Sequence, residues 1–359
     1  MSRSNSMKKL SIVKNQTFGG GDKYSKNVIL ELQKKYIIDF FEPKKLQAKT
    51  QSPLLKILQY IHYVYMYLPK YYRNVGKIIS QDKQYDMVII FQDGYRKCPD
   101  IFQTLSKKSA YVLHEPPREF YEPLSMHTSS LTDKIFTILF RGAVFFSDRN
   151  NTSKSDVIIS NSLFSYRQIK KIYKKDSVVV YPGFSSLFNV KMKRKNQCLS
   201  VGSLLPYKGH SLAIEAIGKI MVNKPNLVII GNGPVSCKEA LKTKAAKCGV
   251  RMKIISSLSD KKLGEIYNES KLYINAAYQE PFGMTSLEAI GHGCNLVTVN
   301  NCGTEELKKY FPKKVIVTER NGIAISNGII ESMTKNNNIP RMDKFTWSNT
   351  ARQIIEAIH

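Results

Sequence analysis

Glu280 and Glu288 stand eight positions apart in Gln279-Glu280-Pro281-Phe282-Gly283-Met284-Thr285-Ser286-Leu287-Glu288-Ala289. Upstream, the apolar run Lys271-Leu272-Tyr273-Ile274-Asn275-Ala276 reads as a buried parallel strand that stops before a proline and a glycine. Pro281 biases Glu280 away from helical dihedrals, Gly283 permits a tight path, and Thr285 or Ser286 is placed to cap the helix carrying Glu288. The amides of Gly283, Met284, Thr285 and Ser286 then point outward, where orphan donors and the helix dipole favour an anion. A diphosphate fits there. Glu280 at the loop mouth and Glu288 about one turn into the helix accept hydrogen bonds from hydroxyls on either side of it. A nucleotide sugar has this layout. A glutamate near a helix start also has a plain use, since it complements the dipole, so the rest of the string decides the weight of the pair.

That whole string, followed by Gly291 and Gly293, resembles the signature of retaining glycosyltransferases of the GT-B fold, the group-1 or family-4 class. The resemblance implies an α/β protein of two Rossmann-like domains whose parallel sheets face each other across a cleft. It also implies Glu288 on ribose hydroxyls, Glu280 on the donor sugar, and transfer with retention, the acceptor approaching the face that the diphosphate leaves. Gly202-Ser203-Leu204-Leu205-Pro206-Tyr207-Lys208-Gly209-His210 looks like the family's diphosphate-binding turn. Lys208 is the phosphate-binding candidate, because an ammonium stabilises the charge that gathers on the leaving oxygens. Ser203 departs from the pattern, since many relatives carry a second basic residue there; either another cation substitutes or phosphate affinity is weaker. Gly231 and Gly233 form a turn beside the expected nucleotide pocket, and the loop ending at Leu258 borders the base.

In the first half, Thr17-Phe18-Gly19-Gly20-Gly21-Asp22 resembles the family's glycine-rich first loop, where Gly19, Gly20 and Gly21 let acceptor or phosphate approach the backbone. Leu113-His114-Glu115-Pro116-Pro117-Arg118 follows a strand and brings His114 and Arg118 toward the same cleft. An imidazole there orients a hydroxyl, which puts His114 with Glu280 and Lys208 among the catalytic candidates. Ser162 is placed to cap a helix starting near Leu163.

No D-x-D string and no His or Cys set with metal-ligand spacing occurs, so neither metal nor cofactor is expected, the nucleoside-diphosphate sugar being a substrate. Gly231-Asn232-Gly233-Pro234 lacks the G-x-G-x-x-G spacing of a nicotinamide enzyme. The net charge of +27 is spread evenly, 30 basic against 15 acidic residues in 1–190 and, by difference from 55 and 28, 25 against 13 in 191–359. It is mainly lysine and accompanies no zinc finger or RNA-binding string, so nucleic acid is not an expected partner. A nucleotide sugar and an anionic membrane face suit such a surface. Two aromatic-basic segments, Leu54 to Arg73 and Lys134 to Phe146, fit either a headgroup interface or packed helices, and no stretch is long enough to span a bilayer. Six cysteines without a C-x-x-C pair and no signal sequence before the first strand point to a reduced, cytoplasmic protein, peripheral on the membrane if attached at all. In that compartment the sequons at Asn151 and Asn268 are chance matches.

Strands are expected at Leu10 to Val13, Tyr36 to Phe41, Met87 to Phe91, Ala110 to Leu113, Asp156 to Ser160 and Ser177 to Tyr181, with a helix over 22–35. The polar stretch 189–197 makes the linker, and the pattern restarts with Cys198 to Gly202, Leu227 to Gly231 and Arg251 to Ile255. The domains are therefore 1–190, an acceptor-binding unit, and 191–340, a nucleotide-sugar-binding unit. A closing helix within 341–359 crosses back to the first unit, as the resemblance implies. The expected function is transfer of a hexose to an acceptor hydroxyl, the acceptor being on a lipid carrier or surface glycan. Two alternatives stay open: a catalytically silent sugar-nucleotide-binding protein, and a small-sugar synthase or phosphorylase on the same fold.

Overall fold

The computed structural model describes residues 8–16, 19–46, 51–121, 131–186 and 192–359, without the side chains of 119 and 131–140. Thr17, Phe18 and the start of the expected linker, 189–191, lie outside the described residues, as do the side chains of 134–140 in the second aromatic-basic segment.

Among the described residues twelve strands fall into two fully parallel sheets. The first holds β1 (Lys9–Val13), β2 (Ile37–Phe41), β3 (Tyr85–Phe91), β4 (Ser109–Val112), β5 (Val157–Ser160) and β6 (Val178–Val179), in the order β2-β1-β3-β4-β5-β6. The second holds β7 (Lys195–Val201), β8 (Asn226–Ile230), β9 (Met252–Ile255), β10 (Ser270–Asn275), β11 (Asn295–Val299) and β12 (Val315–Thr318), in the order β12-β11-β10-β7-β8-β9. Runs such as Val88-Ile89-Ile90-Phe91 and Leu296-Val297 are buried on both faces, as strands covered by helices on two sides require.

The helices that cover the first sheet are α1 (Gly19–Leu32), α2 (Pro53–His62), α3 (Leu68–Gln81), the short α4 (Arg118–Tyr121), α5 (Leu131–Lys154) and α6 (Leu163–Tyr173). Those of the second are α7 (His210–Gly218), α8 (Val235–Lys247), α9 (Asp260–Glu269), α10 (Met284–Gly291), the short α11 (Leu307–Tyr310) and α12 (Gly322–Met333). The last helix, α13 (Trp347–Ile358), joins the core of the first sheet: Trp347, Ala351, Ile354 and Ile358 are buried with Leu10, Ile12 and Val28.

Three expectations need correction. Strand β7 begins at Lys195, inside the polar stretch read as linker, because its first residues pair with Ser270 and Asn226 at the exposed end of the sheet and need no apolar side chains. Gly19, Gly20 and Gly21 are not loop but the first turn of α1, which starts three residues before Asp22 and ends at Leu32. β11 and β12 were not anticipated, since Asn295 and Lys314, both buried, break the apolar pattern at their starts. Asn151 and Asn268 are buried and hydrogen-bonded to Cys98 and His292, which removes both sequons from the surface.

Candidate functional site

In each sheet the strand order reverses once, between β1 and β3 in the first and between β7 and β10 in the second. The crevice outside the carboxyl ends of the strands at such a reversal is where open parallel sheets bind ligands. Lys208 follows β7 and Glu280 follows β10, so they approach the second reversal from its two sides. They meet there: Lys208 Nζ lies 2.7 Å from Glu280 Oε2.

A glycine makes this approach possible. Gly209 has φ +73°, and a Cβ on it would run into the carbonyl of Ala276 at the end of β10. Tyr278 N donates to Tyr207 O at 2.7 Å, tying the same two loops together. His210 fixes the turn from beneath, with Nδ1 3.0 Å from Ser200 Oγ and Nε2 3.1 Å from Ser203 O. Burial pushes its imidazole down to about 4, so it is a neutral strut. Burial alone would raise the Glu280 carboxyl and lower the Lys208 ammonium. Their mutual attraction outweighs burial and holds Lys208 above its ordinary value and Glu280, which Arg118 also attracts, below its own.

The turn between Glu280 and α10 is locked from outside. Gly303 N donates to Glu280 O at 2.7 Å, Ser162 Oγ to Pro281 O at 2.5 Å and Thr304 Oγ1 to Phe282 O at 2.9 Å. Gly283, not Thr285 or Ser286, caps α10, at φ +83° in a place where a Cβ would meet Thr304 Oγ1. The hydroxyls of Thr285 and Ser286 are taken by Tyr273 OH at 2.8 Å and Asn275 Nδ2 at 3.0 Å, so neither is free to cap. The amide of Ser286 turns back to Gly283 O at 2.9 Å, which leaves Gly283, Met284 and Thr285 as the amides without a partner among the described residues. Glu288, one turn on, is buried; Tyr267 OH donates to its Oε2 at 3.3 Å, and burial raises its carboxyl against the pull of Lys23.

Lys23 was not singled out in the sequence. It stands in the second turn of α1, and its Nζ lies 2.6 Å from Glu288 Oε1, joining the two sheets across 265 positions of chain. Such a distant pair leaves no periodic trace; its one hint is a lysine close behind the triple glycine. Gly19 and Gly20 themselves are exposed with open space around them, while Gly21 packs on Gln16. Arg118 comes from the first sheet to the same turn, donating to Gln279 O at 2.6 Å and Tyr278 O at 3.1 Å while paired with Glu115 at 2.6 Å. It and Lys208 both lie over the ring of Tyr207, at 5.2 and 5.4 Å from its centre.

The remaining candidates spread outward. Ser203 brings no charge, its Oγ 3.5 Å from Tyr207 OH. Gly231 is required where it stands, since a Cβ would strike Gly202 O, and at Gly233 a Cβ would press on Leu204. Leu258 and Met284 pack on the core cluster that holds Leu287. His114 has its ring edge-on to Tyr24 at 4.4 Å, its Nε2 without a partner among the described residues, and burial pushes it down to about 4. No group of three His, Cys, Asp or Glu able to hold a metal occurs among the described residues. The cavity at the junction, lined by Glu115, Arg118, Gln279 and Pro281, measures about 40 Å³.

Residues 185–346 match the family described as glycosyl transferases group 1. An uncharacterized glycosyltransferase of Methanocaldococcus jannaschii is 26% identical over 169 residues, 44% of this chain and 43% of that protein. A probable sucrose-phosphate synthase 2 of Craterostigma plantagineum is 26% identical over 88 residues, 24% of this chain and 7% of that protein. The chain thus aligns with less than half the length of these curated relatives. Among solved structures, sucrose-phosphate synthase from Thermosynechococcus elongatus superposes with TM-score 0.68 at 12% identity, over 97% of this chain and 98% of that one. HepE of Anabaena, in complex with UDP and glucose, gives 0.67 at 15% identity over 97% and 98%. WaaG, a glycosyltransferase involved in lipopolysaccharide biosynthesis, gives 0.63 at 16% identity over 97% and 95%. The chain has the GT-B fold, and its residues 185–346 are similar to the group 1 glycosyl transferases.

Proposed function

We propose that the protein is a retaining hexosyltransferase that moves a sugar from a nucleoside diphosphate to an acceptor hydroxyl on a lipid carrier or surface glycan, without a metal ion. The observation that carries the reading is the Lys208–Glu280 pair at the mouth of a turn whose helix, α10, presents three unpartnered amides and then the buried Glu288. The donor diphosphate lies on those amides, its ribose hydroxyls on Glu288 and its sugar beside Glu280. The bond from the anomeric carbon to the phosphate oxygen breaks, and a bond to the acceptor oxygen forms on the same face. The acceptor proton passes to the departing phosphate oxygen. Lys208 stabilises the charge on that oxygen, and Glu280 positions the sugar.

Ser203 leaves the diphosphate short of one cation, and Lys23 supplies it. With Met284 as the first helical residue, Glu288 lies about 6 Å along the axis from the α10 N-terminus at 1.5 Å per residue, so an ammonium leaving Glu288 reaches a phosphate bound there. Arg118 is less available, being held already by Glu115 and two carbonyls. The Lys23–Glu288 pair joins the two sheets at the place where the ribose is to bind, so it opens as the donor takes Glu288. Six free cysteines suit a reducing, cytoplasmic setting.

The presence of UDP and glucose in the Anabaena neighbour makes UDP-glucose the first donor to try. Calorimetric titration with a panel of nucleoside-diphosphate sugars, with and without EDTA, is expected to show one-site binding that chelation does not alter. Donor hydrolysis without acceptor should then be slow, and NMR of the transfer product should show the donor's anomeric configuration. Binding without hydrolysis or transfer favours the catalytically silent sugar-nucleotide-binding protein, and absence of both binding and hydrolysis across the panel overturns the reading.

A further inference from the structure

Helix α2 is inverted relative to its neighbours. In α3 the apolar residues Leu68, Tyr72, Val75 and Ile79 recur at helical spacing and are buried, as a helix packed on a sheet requires. In α2 no residue is buried, although Leu54, Leu55, Ile57, Leu58 and Ile61 fall on one side at 100° per residue with Lys56 opposite. Leu54 is 66% exposed and Leu58 51%. The apolar side of this helix is exposed, and none of the described residues buries it.

Beside that face runs a groove of about 820 Å³, lined on one wall by Leu55, Leu58 and His62 and on the other by Lys44, Lys45 and Tyr67. Tyr67 OH accepts from Lys44 N at 3.1 Å and stacks on Tyr63 at 5.4 Å, which fixes the lysine wall against the aromatic floor. Between Glu42 and Asp82 the sequence has seven basic residues, Lys44, Lys45, Lys49, Lys56, Lys70, Arg73 and Lys77, and no acidic one.

We propose that α2 and this groove dock on an anionic lipid surface. The leucines enter the headgroup boundary with the helix lying in the plane, and a headgroup phosphate sits against Lys44 and Lys45. The charge selects this occupant. A second copy would bring an equally basic, acid-free face against this one, within a chain of net charge +27. A nucleic acid would use the lysines and leave the exposed leucines in water. The first aromatic-basic segment therefore divides: Leu54 to Leu58 is exposed, Tyr60 packs on the core, and the part from Tyr63 onward supplies buried residues such as Tyr63, Val64, Leu68 and Tyr72. This surface is separate from the glycosyl-transfer site and does not depend on that assignment.

The test is flotation of the full chain with vesicles of phosphatidylcholine alone and with about one third phosphatidylglycerol, at low and high salt. Binding to the anionic vesicles alone, weakened by salt, is expected. Leu54→Glu/Leu58→Glu and, separately, Lys44→Glu/Lys45→Glu are each expected to lower partitioning at least about tenfold. All four positions are exposed, so the thermal midpoint should stay within a few degrees of the parent's. The proposal is overturned if the protein stays soluble with both vesicle types, or if these variants partition like the parent. It is equally overturned if sedimentation shows a dimer that Leu54→Glu/Leu58→Glu dissociates, which makes the face a contact between copies.

Discussion

Lys23 Nζ and Glu288 Oε1 are 2.6 Å apart, and this ion pair joins the second turns of two helices that belong to different sheets. Glu288 is buried and the Lys23 side chain is 30% exposed, so the carboxylate is the fixed partner and the ammonium the one free to leave. If Lys23 goes to the diphosphate when ribose takes Glu288, Lys23→Met should weaken binding of UDP, used as probe, by about tenfold, as expected for one lost charge-assisted contact. Its salt dependence should shrink as well. A pair that merely blocks the site predicts the reverse, since removing the lysine would then tighten binding. Calorimetry at two ionic strengths separates the two, and unchanged affinity rules out a phosphate role.

Lys208 and Glu280 differ from that pair in being locked on one side of the junction. Lys208→Met leaves the Glu280 carboxylate enclosed without its cation and should cost stability of about 2 kcal/mol, below the range for fully buried pairs because the lysine is 22% exposed. Its effect on turnover should be larger, roughly 10²- to 10³-fold in kcat, with KM for the donor moving less. Lys208→Met/Glu280→Gln should recover much of the stability and none of the turnover. If the double variant regains activity, Lys208 serves only to neutralise Glu280.

The glutamate string was legible because strand, turn and helix are contiguous, so Glu280, Gly283 and Glu288 are placed by local chemistry alone. The strands of the first sheet and most of those of the second, β11 and β12 excepted, were legible for a related reason: double-sided burial leaves apolar runs such as Val88 to Phe91. The cap at Gly283 was misassigned because Thr285 and Ser286 carry hydroxyls suited to capping, and only the fold reveals Tyr273 and Asn275 claiming them first. Lys23 was invisible for the opposite reason, since a lysine near a helix start is ordinary until the second sheet brings Glu288 to it. The start of β7 at Lys195 was hidden by polar residues that an exposed strand end accepts.

Gly209 offers a test of how tightly the fold sets the Lys208–Glu280 distance. Its φ of +73° strains any other residue, and a Cβ would collide with the Ala276 backbone, which cannot swing aside as a side chain can. Gly209→Ala should therefore lower stability by about 2 to 4 kcal/mol. It should also push the Lys208 turn away from β10, so that turnover falls beyond what the lost stability explains. Gly20→Ala is the matched control, because nothing lies within 4 Å of the added carbon. Equal behaviour of the two variants in thermal unfolding and donor turnover would sink the argument.

Acid sensitivity follows from three imidazoles that burial keeps neutral. His114, His210 and His292 are all pushed from 6.5 down to about 4. In the unfolded chain each takes a proton near pH 6.5, whereas in the folded chain none does so until about pH 4. The unfolded state thus binds more protons in between, so stability is full above pH 6.5 and falls as the pH drops toward 4, by on the order of 3 kcal/mol per imidazole. Glu280, held below its ordinary value by Lys208 and Arg118, stays ionised through most of that range, so the loss should come from the histidines first. The His114 ring packs edge-on to Tyr24 and its Nε2 has no partner among the described residues, so His114→Phe keeps the ring contact and removes the proton. Urea unfolding at pH 8 and pH 5 should show a midpoint difference that shrinks in His114→Phe. An undiminished difference means that the protons are taken up elsewhere.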